Sequence, residues 1–156
     1  MDRDAMMKTM REAISNVLDI MFFQPVQIAD SDCTLQEWLS QEQSLLGATL
    51  RFDGSVSGLL YLLIPVAMAS EITANFLGLR QEEINEEQKR DTIKEAINMI
   101  GGHMLALFDR KGAFKLGIPG LIEEGDLTEH RLGDLKVDMI PIETGEGHLA
   151  VGIAID

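Results

Sequence analysis

Apolar residues follow two different periods along the chain. From Asp4 to Phe23, from Val66 to Phe76 and from Asp91 to Phe108 they recur at steps of three and four, which predicts three helices, each with one buried face. We expect Pro25 to end the first helix and Lys111-Gly112 to end the third, because proline and glycine interrupt helical geometry.

Two other regions have the pattern of β-hairpins. Leu45 to Phe52 and Val56 to Ile64 surround Asp53-Gly54, a dipeptide that tolerates the positive φ angles of tight turns. Leu135 to Ile142 and His148 to Ile155 surround a second glycine-rich loop. The sequence therefore predicts two pairs of antiparallel strands.

The run Leu59 to Ile64 is apolar on both of its sides. This is typical of a central strand covered on both faces, or of a strand at an interface between subunits. Because an exposed strand of this kind would promote aggregation, the run also motivates the hypothesis of a homodimer that pairs edge to edge or face to face.

The order of elements suggests an internal repeat. Arg11 to Ser15 resembles Lys94 to Asn98, and each lies on a helix that precedes a hairpin. Between the first helix and its hairpin, a short strand is expected at Val26 to Ala29 and a short helix at Thr34 to Leu39. We predict one α/β (α+β) domain over residues 1–156, with two pseudo-symmetric helix-plus-hairpin halves whose helices pack on an antiparallel sheet.

The net charge of the chain argues against some classes of binding partner. The formal net charge is −13, so the chain would repel nucleic acid and anionic lipid. The uncharged stretch Gly54 to Ser70 is shorter than the roughly 20 apolar residues of a membrane span. The first residues lack the order of a secretory signal, and the single Cys33 cannot form an internal disulfide. We therefore expect a cytoplasmic protein with no membrane or nucleic-acid partner.

Polar residues share one face of the third helix. Asp91, Glu95, Asn98 and Gly102 are spaced by four, three and four positions, so they lie along one stripe. Such a stripe is ordinarily the solvated side of a helix. Gly101-Gly102 adds a second possibility, because glycines cost helix stability but allow another backbone to approach, from a partner or from a neighbouring helix of the domain.

Other familiar site chemistries do not match the sequence. The three histidines are scattered over different elements without the short spacing of zinc ligands. The segment Gly54-Ser55-Val56-Ser57-Gly58 has valine where a nucleophile elbow would have serine. No metal site and no hydrolase triad are therefore predicted.

The motif Asp91-x3-Glu95-x2-Asn98, followed downstream by Pro119, resembles the active-site signature of the CheC/CheX/FliY family of chemotaxis phosphatases, and it is nearest to the CheX branch. The resemblance extends over most of the chain. It implies the fold of that family and its activity, which is removal of the phosphoryl group from the aspartyl-phosphate of a CheY-like response regulator.

The resemblance also implies roles for individual residues. Glu95 would pair with a lysine of the regulator, and Asn98 would enter the regulator's site and orient the attacking water. Asp91 and Pro119 of the matched motif would contact the partner, and so would Gly102, where the lack of a side chain leaves room for another backbone. An amide suits this task because it both donates and accepts hydrogen bonds.

No cofactor of this chain is required by that chemistry, since Mg2+ is expected in the partner receiver domain. One site per chain is expected, because Ser15 stands where the repeat containing Glu12 would need an asparagine. Two alternatives stay open: a module of the same fold that binds a receiver or a flagellar switch component without catalysis, and an assembly protein on which Glu95 and Asn98 are merely solvated.

Overall fold

A computed structural model of the chain describes residues 3–42, 44–108, 114–123, 126–127 and 129–156. The elements are, in order, α1 (Arg3–Asn16) with a π-helical extension (Val17–Met21), β1 (Gln27–Ile28), α2 (Leu35–Trp38), β2 (Leu45–Asp53), β3 (Gly58–Pro65), α3 (Val66–Leu77), a 3-10 turn (Gln81–Glu83), α4 (Glu86–Phe108), β4 (Lys115–Leu116), β5 (Gly120–Ile122), α5 (Glu129–Asp134), β6 (Asp138–Thr144) and β7 (Gly147–Ile155).

The strands form one antiparallel seven-stranded sheet. Its order is β1-β6-β7-β3-β2-β4, and β5 also pairs with β2. The two predicted hairpins are β2–β3 and β6–β7, which pair in register from Leu45 opposite Pro65 and from Asp138 opposite Ile153. The hairpins meet along β3 and β7, where Leu60 lies opposite Ile153.

Each half of the chain adds short strands to the outer edge of the other half's hairpin. The short strand β1 comes from the first half and pairs with β6 of the second. In the same way, β4 and β5 come from the second half and pair with β2 of the first. This reciprocal pairing matches the predicted pseudo-symmetric halves, with helices packed on an antiparallel sheet.

Successive side chains of each strand point to opposite faces of the sheet, so the buried residues form one cluster on each face. Ala48, Leu50 and Phe52 of β2 point toward the layer formed by α1, α3 and α4, in the larger buried cluster. Leu45 of β2 and Leu63 of β3 belong to the opposite cluster, which α2 and α5 cover. The long helices thus share one face, and α4 has its outer side free for other contacts.

The run predicted to be apolar on both sides is the inner strand β3. It lies between β2 and β7, and Leu60, Leu62 and Leu63 are fully buried inside the chain. Its apolar character is therefore explained by coverage on both faces, and it cannot supply the edge-to-edge contact predicted from it. A homodimer stays a prediction without this support.

Local details differ from the sequence expectations at Gly54 and at the end of the first helix. Gly54 is not in the positive-φ region; instead, a Cβ there would collide with the ring of Phe114. The helix predicted from Asp4 continues to Met21 only by changing to π-helical geometry. Lys111-Gly112 lies outside the described residues. None of the described helices has both the length and the apolar character of a membrane crossing.

Candidate active site

The long helix α4 carries the predicted site residues, and its start is fixed by a capping box. The Asn85 side chain accepts a hydrogen bond from the Gln88 backbone N–H at 2.7 Å, and the Gln88 side chain accepts one from the Asn85 N–H at 3.0 Å. This reciprocal pair satisfies two N–H groups that a helix start leaves free. It explains why α4 begins at Glu86, five residues before the predicted start.

One side of α4 is completely buried against the sheet and the neighbouring helices. Its apolar residues recur at steps of three and four, as predicted. They are Ile93, Ala96, Ile97, Ile100 and Met104. Because this side is held in the core, the rotation of α4 about its own axis is fixed, and so is the direction of the opposite side.

The opposite side presents the predicted stripe to solvent. Asp91 is exposed, while Glu95, Asn98 and Gly102 are partly exposed. The structure therefore brings these four residues together on one accessible face. Neither the Glu95 carboxylate nor the Asn98 amide has a hydrogen bond or ion pair with the described part of the chain. Both groups are consequently available to an outside partner.

The two adjacent glycines of α4 serve different purposes. A Cβ at Gly101 would lie 2.6 Å from Cδ2 of Leu50, so this glycine lets α4 pack closely on the sheet. A Cβ at Gly102 would meet no atom within 4 Å. Packing thus explains Gly101 but gives no reason for a glycine at position 102, which lies on the accessible stripe.

Charged neighbours surround the unpaired residues. Lys94 Nζ lies 3.6 Å from Asp91 Oδ1, and both side chains stay in contact with solvent. One turn earlier, Arg90 Nη2 lies 3.5 Å from Glu123 Oε2, which connects α4 to the residue after β5. The stripe is therefore bordered by ion pairs, while Glu95 itself pairs with no cation among the residues that the structure describes.

Pro119 lies on the segment between β4 and β5. This segment runs beside α4, because Leu116 approaches the Gly101 position and Glu123 pairs with Arg90. Its backbone is held by a 2.8 Å hydrogen bond from the Gly117 N–H to the Arg51 carbonyl. This segment thus lies close to the helix, and a docking role for Pro119 stays a prediction.

Two residues near the stripe were not identified as site residues from the sequence. Lys94 was detectable in principle, since it precedes Asn98 by four positions on the same helix. Ile118 is 93% exposed on the β4–β5 segment, and a single apolar residue in a loop gives no periodic signal. In the described residues, no three His, Cys, Asp or Glu side chains are grouped as metal ligands would be.

Solved structures share this fold. The chemotaxis protein CheX from Vibrio vulnificus aligns over 100% of this chain and 99% of its own, with a TM-score of 0.78 and 17% identity. The CheX of a CheX–CheY–BeF3–Mg2+ complex from Borrelia burgdorferi aligns over 96% of each chain, with a TM-score of 0.67 and 16% identity. FliY from Thermotoga maritima covers 97% of this chain with 89% of its own, at a TM-score of 0.64 and 14% identity.

At the level of sequence, no curated protein matches the chain. The family described as chemotaxis phosphatase CheX matches residues 46–143, a range that contains the whole of α4 and most of the sheet. The chain belongs to the CheX family of chemotaxis phosphatases.

Proposed function

We propose that this protein removes the phosphoryl group from the aspartyl-phosphate of a CheY-like receiver domain and that the exposed stripe of α4 is its active site. The observation that carries the proposal is that Glu95 and Asn98 lie together on an accessible helix face without partners in the described part of the chain. A polar pair left unpaired beside ion-paired neighbours is suited to contacts with another protein.

Asn98 orients the attacking water in this proposal. Its amide can accept a hydrogen bond from the water and donate one to a phosphoryl oxygen, without a change of protonation. Hydrolysis of an acyl phosphate depends mainly on placing the water in line with phosphorus and on stabilising charge. The receiver supplies the phosphoryl group and the Mg2+, so this chain needs no cofactor of its own.

Glu95 docks the receiver through an ion pair with a lysine. It lies one helical turn before Asn98, so a partner held by Glu95 is placed next to the amide. Asp91 and Gly102 extend the contact along the stripe, and Pro119 contacts the receiver from the adjacent segment. The Borrelia burgdorferi CheX, which has the same fold, was crystallised with CheY, BeF3 and Mg2+. That assembly is consistent with a receiver as the partner.

The test is the rate at which a phosphorylated CheY-like receiver loses its phosphate. Asn98→Ala is expected to reduce the accelerated rate by about 100-fold, because the water is no longer positioned, while the affinity for the receiver stays nearly the same. Glu95→Ala is expected to weaken binding by about 2 to 5 kcal/mol. Glu82→Ala serves as a matched control, since Glu82 is exposed outside the stripe.

The possible results separate the alternatives. Binding without faster dephosphorylation by the natural protein would favour the non-catalytic receiver-binding or flagellar-switch module. Unchanged turnover and affinity in both Asn98→Ala and Glu95→Ala would mean that these residues are only solvated, and the proposed active site would be wrong.

A further inference from the structure

Lys94 and Glu95 point to different sides of the predicted stripe. They are successive residues, so their side chains diverge by about 100° around the helix axis. Asn98 follows Lys94 by four positions and Glu95 by three, which places it between them in direction. A cation and an anion therefore flank the amide on its two sides.

The Glu95 side of α4 leads toward α1. Met99 and His103 follow Glu95 at steps of four along the same row. His103 Nε2 lies 3.4 Å from Nδ2 of Asn16, the last residue of α1. A receiver that extended in this direction would contact α1.

The Lys94 side leads toward the β4–β5 segment. Arg90 precedes Lys94 by four positions and pairs with Glu123, which follows β5. Gly101 follows Lys94 by seven positions, about two helical turns, and its Cβ position lies 3.5 Å from Leu116 of β4. The row of α4 that contains Lys94 thus lies beside β4 at one point and beside the residue after β5 at another, and Ile118 lies between these two strands.

Lys94 and Ile118 differ from the residues around them. Lys89 and Arg90 are engaged in ion pairs with Glu86 and Glu123, and Lys89 is buried. Among the described residues, Lys94 pairs, at 3.6 Å, only with Asp91 of its own helix, whereas Arg90 pairs at 3.5 Å with Glu123 of another segment; the two side chains are 36% and 45% exposed. Ile118 is more exposed than any other large apolar residue among those described, although the backbone beside it is held in place through Gly117.

We infer that the receiver-binding surface extends from Glu95 and Asn98 across to the β4–β5 segment, where Lys94 contacts the anionic rim of the phosphorylated site and Ile118 contacts an apolar patch of the receiver. This inference rests on the proposed function. The surface then carries opposite charges on the two sides of Asn98. Glu95 pairs with a cation of the receiver on one side, and Lys94 contacts the receiver's anionic site on the other.

Charge gives the reason for a lysine at this position. A phosphoryl group adds about two negative charges beside the carboxylates that hold Mg2+, and the metal's two positive charges offset only part of this total. This chain carries a net charge of −13. The acidic surface of this chain therefore repels the negative charge of the phosphorylated site, and a cation next to the point of attack reduces that repulsion locally. Opposite charges on the two sides of Asn98 also fix the orientation in which a receiver docks.

Binding is measured with a CheY-like receiver from the same genome, activated by Mg2+ and beryllofluoride, a stable analogue of the phosphoryl group. Lys94→Met is expected to weaken binding about two- to fivefold and to reduce its dependence on salt, whereas Lys94→Arg keeps both. Ile118→Ser is expected to weaken binding about tenfold without changing the salt dependence. With phosphorylated receiver, both variants should raise KM and leave kcat unchanged.

Two controls test the direction of the surface. Lys136→Met causes the same change in net charge in an exposed loop after α5, a helix that covers the other face of the sheet. Asn16→Ala alters the α1 side. If Asn16→Ala weakens binding while Lys94→Met and Ile118→Ser do not, the surface extends toward α1 and the inference is wrong.

If Lys136→Met has the same effect as Lys94→Met, the effect comes from net charge alone, and the inference is also wrong. Failure of the proposed catalysis is a separate result: the natural protein would bind the activated receiver, with Lys94 and Ile118 contributing, yet would not accelerate dephosphorylation. No binding of the natural protein to any such receiver would overturn both.

Discussion

Gly102→Ala should make the protein more stable and less active. Glycine inside a helix costs about 1 kcal/mol relative to alanine, because it loses more backbone freedom on folding. At Gly102 a Cβ would meet nothing within 4 Å, so the added methyl group introduces no strain. The free energy of unfolding should therefore rise by about 1 kcal/mol.

The activity should change in the opposite direction. If the receiver approaches the backbone at Gly102, the new methyl group occupies part of the contact and lowers the affinity by about tenfold, an energy of about 1.4 kcal/mol. Urea denaturation measures the first effect. Dephosphorylation of a phosphorylated receiver, at several protein concentrations, measures the second as an increase in KM.

Gly101→Ala is the matched control. Its methyl group would lie 2.6 Å from the buried Leu50 side chain, so overpacking of about 1 to 3 kcal/mol should cancel or exceed the gain in helix propensity. Gly101→Ala should thus not raise stability. A Gly102→Ala protein with increased stability and unchanged KM would show that the receiver does not contact this position. A loss of stability would refute the helix-propensity reasoning.

Three further substitutions test other parts of the structure. Contact with the Glu146 carboxylate and burial raise the pKa of Glu71 to about 7. Between about pH 4.5 and 7 the folded protein keeps a proton on Glu71 that the unfolded chain releases, so the free energy of unfolding should fall as the pH rises through this range. Urea titrations at several pH values measure this slope, and Glu71→Gln should flatten it. Trp38→Phe removes a 2.9 Å hydrogen bond to the Leu149 carbonyl and should lower the denaturation midpoint by an amount worth about 1 kcal/mol; an unchanged midpoint would contradict it. Gly78 has a φ of 67°, so Gly78→Ala should lower the melting temperature by an amount worth about 1 kcal/mol, whereas Gly145→Ala, at a glycine outside the positive-φ region, should have a smaller effect.

The strands of the two hairpins and the buried face of α4 could be predicted from the sequence, because their apolar residues show the pattern of a strand or the period of a helix and turn residues separate the paired strands. Thr34 to Leu39 was also predicted correctly, and the capping box between Thr34 and Glu37 gives the physical reason. The start of α4 was missed because Asn85 and Gln88 fix it by side-chain hydrogen bonds, which leave no trace in the apolar pattern.

Other features depended on tertiary contacts. The glycine at position 54 suggested a special turn angle, yet it is the ring of Phe114, distant in sequence, that leaves no room for a side chain. That Glu95 and Asn98 share one face could be predicted from their spacing, because both residues lie on the same helix. The proposed extension of the surface from Lys94 to Ile118 could not be predicted from the sequence, since it depends on where the β4–β5 segment lies beside α4.

The exchange of short strands between the halves of the chain has a consequence for unfolding. β1 cannot leave β6, nor β4 and β5 leave β2, without exposing a hairpin that belongs to the other half. Neither half then retains a complete sheet by itself. Unfolding of one half would therefore also break contacts in the other half, and the conformational entropy gained would not compensate for them. A single calorimetric transition, with equal van't Hoff and calorimetric enthalpies, is the behaviour that such mutual closure requires.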